Sequence, residues 1–121
     1  MPEAAEWKSQ IVTLDSTTTS DTVTEVLIAA VTDKRIEVKA VHLSIDDAGV
    51  TAFAFLDGSG GAALTGSYDL EDTTEFILPP VPADGMCKWM KTAKGGALWI
   101  TYDNGGTAAD IMGTILYTEV F

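Results

Sequence analysis

The sequence predicts an all-β protein: an antiparallel β-sandwich of about eight short strands, in the arrangement of a jelly roll. Three observations carry that prediction. Apolar residues recur with the two-residue period of a strand in one run after another. Glycine, aspartate, asparagine and proline interrupt these runs about every ten residues, the spacing of an all-β chain. No stretch carries a sustained helical period.

The central segment, residues 34–70, shows the pattern most clearly. Ile36, Val38 and Ala40 share one face of the first run, after which the apolar set passes to Val41, Leu43 and Ile45. A slip of one residue sends every later side chain to the opposite face. A β-bulge near Ala40 and Val41 is therefore expected, or a strand that leaves one sheet for another. The next run, 51–56, sets Phe53 and Phe55 on one face and Ala52, Ala54 and Leu56 on the other. A strand apolar on both faces is covered on both, by the core and by a second layer or subunit.

Upstream, residues 1–20 read as an N-terminal arm and polar loop, leaving 21–121 as one sandwich domain. Trp7 stands alone in an acidic, alanine-containing segment, before the short β-like run Ile11, Val12, Thr13, Leu14 and the polar stretch DSTTTSD. It is either a lid on its own core or an anchor on a partner, since large aromatics dominate binding hot spots. The β-branched residues of TVTEVLIAAV, 22–31, favour a strand over a short helix. Asp33-Lys34, Asp46-Asp47-Ala48-Gly49 and Asp57-Gly58-Ser59-Gly60-Gly61 are turns, the last a hairpin.

Further strands are expected over 64–70 and 76–78. Pro79, Pro80 and Pro82 then mark an edge or a crossover loop, because proline cannot donate to a ladder. MCKWMKT, 86–92, reads as a short exposed strand. In 97–102, Leu98, Ile100 and Tyr102 oppose Ala97, Trp99 and Thr101, and Asp103-Asn104-Gly105-Gly106 is the strongest hairpin signal in the chain. The last run, 111–121, is again apolar on both faces: Ile111, Ile115 and Tyr117 against Met112, Leu116 and Val120.

Composition narrows the function classes. With 121 residues the chain can bury a core without staples. Its single cysteine, Cys87, provides no intramolecular disulfide and suits a reducing cytoplasm. No run approaches the ~18 apolar residues of a membrane helix, and the acidic start MPEAAEWKSQ lacks a signal-peptide core. Eighteen acids against seven bases give a net charge of −11. Nucleic-acid binding needs a basic face, and no basic cluster is visible along the sequence.

Catalytic chemistry finds little footing. His42 is the single histidine, and any Ser-His or Cys-His arrangement must use it. Ser44 shares its face, but residues two apart on a strand run parallel about 6.6 Å apart. Lys88 beside Cys87 favours a thiolate, although a buried, inert thiol is the commoner outcome. One histidine and one cysteine fall short of a zinc site. Asp46-Asp47 and Glu71-Asp72 offer carboxylates to calcium, without the spacing of an EF-hand. The glycines at 58–61 lack the lysine and helix of a phosphate-binding loop. Trp89, Trp99, Tyr68 and Tyr102 could line a sugar-binding face, but their strand positions favour core packing. No cofactor, metal or small-molecule substrate is expected.

Taken in order, the runs KRIEV (34–38), VTAFAF (50–55), GGAALTG (60–66), FILP (76–79), WMKT (89–92) with GGAL (95–98), and GTILY (113–117) resemble the small β-sandwich virion proteins of tailed bacteriophages, of the capsid decoration or cement type. No single run is specific; their order and spacing carry the resemblance, over about residues 23–120. It implies a non-enzymatic jelly roll, made in the host bacterial cytoplasm, that assembles as a homo-trimer on the outer capsid surface. There it would clamp neighbouring major capsid protein subunits. The run Pro79-Pro80-Val81-Pro82, and Lys88 and Lys91 about Trp89, depart from the family pattern, and no catalytic residue carries over. Trp7 and Trp89 are the expected partner contacts. The alternative is a tail- or fibre-associated module, or a carbohydrate-binding sandwich.

Overall fold

The computed structural model describes residues 6–16, 22–45, 52–58, 61–66, 68–69, 75–82, 87–103 and 109–121. Nine strands follow one another, with no helix among the described residues: β1 (Lys8–Ser16), β2 (Thr22–Ile28), β3 (Arg35–Ile45), β4 (Ala52–Asp57), β5 (Tyr68–Asp69), β6 (Glu75–Leu78), β7 (Met90–Lys91), β8 (Leu98–Asp103) and β9 (Ala109–Val120). They form two antiparallel sheets. One has the order β1-β9-β3-β6, with β7 also paired to β3; the other has the order β2-β8-β4-β5.

The alternation read from the sequence decides what lies between the sheets. Ile36, Val38, Val41, Leu43 and Ile45 of β3 meet Ile111, Ile115 and Tyr117 of β9 and Val12 and Leu14 of β1 on one side. Phe53 and Phe55 of β4 and Leu98, Ile100 and Tyr102 of β8 close the core from the other sheet. At one end, Phe53, Phe55, Tyr68 and Phe76 form an aromatic cluster spanning both sheets, with Phe53 edge-on to Phe76 at 4.7 Å between ring centroids. Such edge-to-face pairs add to the stabilisation from area burial alone.

The slip in β3 is a bulge. Its pairing with β9 shifts between Val38 and Ala40, so Lys39 is the extra residue, one position before the expected site. One extra residue lets both apolar sets, before and after it, face the same core. At the edge beyond β3, the ladder is shared by two short pieces. β6 pairs with residues 41–44, Val81 donates to the Lys39 carbonyl, Trp89 to the Val38 carbonyl, and β7 pairs with Glu37 and Val38. The prolines 79, 80 and 82 sit where this edge breaks, as their missing donor requires.

Three sequence expectations differ in detail. Within the segment 1–20, read as an arm and loop, β1 pairs with β9 at nine consecutive positions and buries Val12 and Leu14 in the core. The hairpin signal at 103–106 joins strands of different sheets: β8 pairs with β2 and β4, β9 with β1 and β3. Turn chemistry reverses a chain without fixing which sheet receives it. Of the strands expected over 64–70 and 86–92, the described residues show β5 at Tyr68–Asp69 and β7 at Met90–Lys91, with 64–66 and 87–89 outside any strand. The hairpin at 57–61 does return β4 on itself: Gly58 has φ 83°, Asp57 donates to the Ala62 carbonyl, and Leu56 bridges Ala63.

Candidate interaction surface

Register fixes which side chains leave the core. On the sheet containing β3, residues opposite one another share a face, so Ile11, Thr114, His42 and Ile77 form one outward row. A second outward row is Ser9, Leu116 and Ala40. Ile11 is 75% exposed and Ile77 55%, and Met112 is also exposed. On the other sheet Val26, Trp99 and Leu56 form an outward row, with Val26 exposed and the others half-buried. Both faces of β4 and of β9 are therefore apolar, while the core between the sheets takes only one face of each.

The β3 face contains a groove of about 270 Å³, lined by Ala40, His42, Ile77, Pro79, Pro80 and Leu116 among others. Its lining is almost wholly apolar. Trp89 is held beside it: the indole Nε1–H donates to the Pro79 carbonyl at 2.8 Å, and the side chain remains 43% exposed. His42 and Glu75, both exposed, approach to 3.9 Å at the groove's other margin.

Along the same face of β3 the polarity changes. Lys39 is only 1% exposed; its Nζ donates to the Cys87 carbonyl and lies 3.6 Å from a carboxylate oxygen of Glu37. The other oxygen of Glu37 is 3.2 Å from Lys88 Nζ. Lys91 stands opposite Glu37 across the β3–β7 ladder. A lysine taken this far out of water persists only where a carbonyl and a carboxylate replace the lost hydration.

The two expected partner contacts stand apart. Lys8, Tyr117, Val38 and Met90 form one row across the sheet, so Trp7 and Trp89, each preceding an end of that row, flank opposite edges. Three strand spacings separate those edges, about 14 Å. Trp7 is half-buried and Trp89 exposed. The groove itself was not anticipated, because it joins β3, β6 and β9 from distant parts of the chain; the second apolar face of 111–121 was its one visible signal.

The remaining chemical candidates are dispersed. His42 and Ser44 are exposed on one face, and Cys87 is half-buried. Among the described residues no group of three His, Cys, Asp or Glu side chains could hold a metal ion. The pairs Asp46-Asp47 and Glu71-Asp72 lie outside the described residues. Lys8 is raised above its ordinary pKa by its hydrogen bond to Glu119 and by the charge of that carboxylate. No family model matches the chain, and no curated protein matches it.

Proposed function

We propose that this chain is a non-enzymatic virion structural protein of the capsid decoration type. It binds the outer capsid surface as a homo-trimer and stabilises contacts between major capsid protein subunits. One observation carries the reading: the core is complete between two sheets, yet Ala40, Ile77, Pro79, Pro80 and Leu116 line an apolar groove on the outside, with Ile11 and Met112 exposed on the same face. Contiguous apolar surface of this kind marks a site of association. Many copies, each binding the assembled shell and not its separated subunits, stabilise the shell by mass action.

Strand order supports the jelly-roll form of the sandwich. With the two-residue β7 set aside, the chain alternates between sheets in β1, β2, β3 and β4, stays for β5, and returns through β6, β8 and β9. This gives two four-stranded layers with the first and last strands adjacent, the pattern of paired Greek keys. The test is cosedimentation with phage heads lacking decoration. Saturable binding and a higher temperature of head disruption are expected; heads that neither retain the protein nor gain stability would sink the proposal.

A carbohydrate-binding role draws on one feature, the exposed Trp89 ring fixed by Pro79. Quenching of its fluorescence by oligosaccharides would favour that role, and a flat response across a glycan panel would remove it.

A further inference from the structure

We propose that the outward face of β3 and its neighbours is the docking site for a second copy of this chain, whose acidic surface it complements. Among the described residues, four of the seven bases, Arg35, Lys39, Lys88 and Lys91, gather about Glu37. Arg35 lies two residues before Glu37, on the same side of β3. Those five described side chains sum to +3 in a chain whose net charge is −11. The segregation was invisible in the linear sequence because β3 and the 88–91 segment meet only through the β3–β7 ladder.

Two copies that each carry −11 repel wherever acid meets acid. The cationic end of β3 offers a way round this, and the acidic remainder of another copy is the surface that fits it. The apolar groove adjoins the cluster through Ala40, which follows Lys39 in the chain. Glu75, two residues before the groove's Ile77, lies 3.9 Å from His42. One face thus supplies an apolar centre and a cationic border, the arrangement by which charge selects the partner while buried apolar area holds it. Because basic face meets acidic surface, the contact is heterologous. Repeated with rotation, such a contact closes a ring.

The inference rests on the reading above that the chain works as an oligomer, and it names the face. The test compares molar mass in solution, by sedimentation equilibrium, for the wild type, the double variant Lys88→Glu/Lys91→Glu, Ile77→Asp, and Val26→Asp on the opposite sheet. All four positions are at the surface; Ile77→Asp and Val26→Asp should melt as wild type does, while Lys88→Glu also removes a partner of Glu37, so the lysine variant is read only where circular dichroism shows it folded. Wild type and Val26→Asp are expected at three times the 12.8 kDa chain mass, and the other two at one third of that assembly.

Loading is set at about 100 μM, where even a micromolar Kd fills the oligomer. A monomeric wild type at that concentration would overturn the proposal. So would groove and lysine variants that keep the wild-type mass, or dissociation by Val26→Asp alone. The two readings separate in the same samples. A monomer that cosediments with heads defeats self-docking and leaves decoration standing, whereas an oligomer that ignores heads does the reverse.

Discussion

Gly113 and Lys39 show how single residues set the spacing of the main sheet. Gly113 pairs with Leu43 and Val12, and a Cβ there would collide with the backbone carbonyl of His42. Backbone cannot yield as a flexible side chain does, so Gly113→Ala should cost about 1–3 kcal/mol in urea unfolding. Gly66, with open space where its Cβ would lie, is the control: Gly66→Ala should be neutral or stabilise by up to about 1 kcal/mol. Equal effects at the two positions would refute the steric account. At Lys39, loss of the ammonium removes a charged hydrogen bond to the Cys87 carbonyl. Lys39→Met should therefore destabilise by about 1–3 kcal/mol, measured in the same way. The sequence showed that a slip occurs in this strand, but it placed the extra residue at the apolar Ala40-Val41 step. A buried lysine becomes intelligible only once Glu37 and Cys87 are seen around it.

At the scale of the strands, the four sheet edges are treated differently. β5 is two residues long; β6 runs into Pro79 and Pro80; β2 carries a register shift between Val26 and Ile28. β1 alone is long, regular and without proline, and it exposes Ile11. Such an edge is a template for adventitious pairing. Ile11→Lys should leave unfolding stability within about 0.5 kcal/mol of wild type while delaying heat-induced light scattering; scattering that starts at the same temperature would acquit the edge. The start of β1 is also tied to the end of β9 by Lys8 and Glu119, 3.0 Å apart. Because the folded Lys8 is raised above 10.5, the stabilisation is fully present below that pH and is lost as pH rises through the folded value. Melting curves above pH 10 should therefore show wild type converging on Glu119→Gln; a constant difference between them would exclude the pair as a contributor. Strands apolar on the inner face, β3, β4, β8 and β9, were legible from alternation. β1 was legible only as the short β-like run Ile11 to Leu14 within an arm, because Ser9, Gln10 and Thr13 surround its two inward residues, Val12 and Leu14, and make an edge strand look like a tether.

For the whole molecule, the first strand lies beside the last, and this changes what a truncation reports. Alternation and turn residues are local signals, so they revealed two layers and their apolar outer faces. They could not reveal the groove, whose walls come from β3, β6 and β9, or the adjacency of β1 and β9. Removing residues 1–7 leaves every β1–β9 pair in place, so melting should be unchanged and any fall in head occupancy would belong to the contact made by Trp7 and its acidic neighbours. Removing residues 1–16 also strips Val12 and Leu14 from the core, each contributing about 1.5–3 kcal/mol when buried. It would further expose the edge of β9, the strand that joins β1 to β3. The shorter truncation should remain a cooperatively melting protein and the longer one should unfold or aggregate. If removal of 1–7 abolishes cooperative melting, Trp7 belongs to the core and the partner contact must be sought at Trp89. If the chain without 1–16 melts as wild type does, β1 is dispensable and the sandwich is held by β9 and β3 alone.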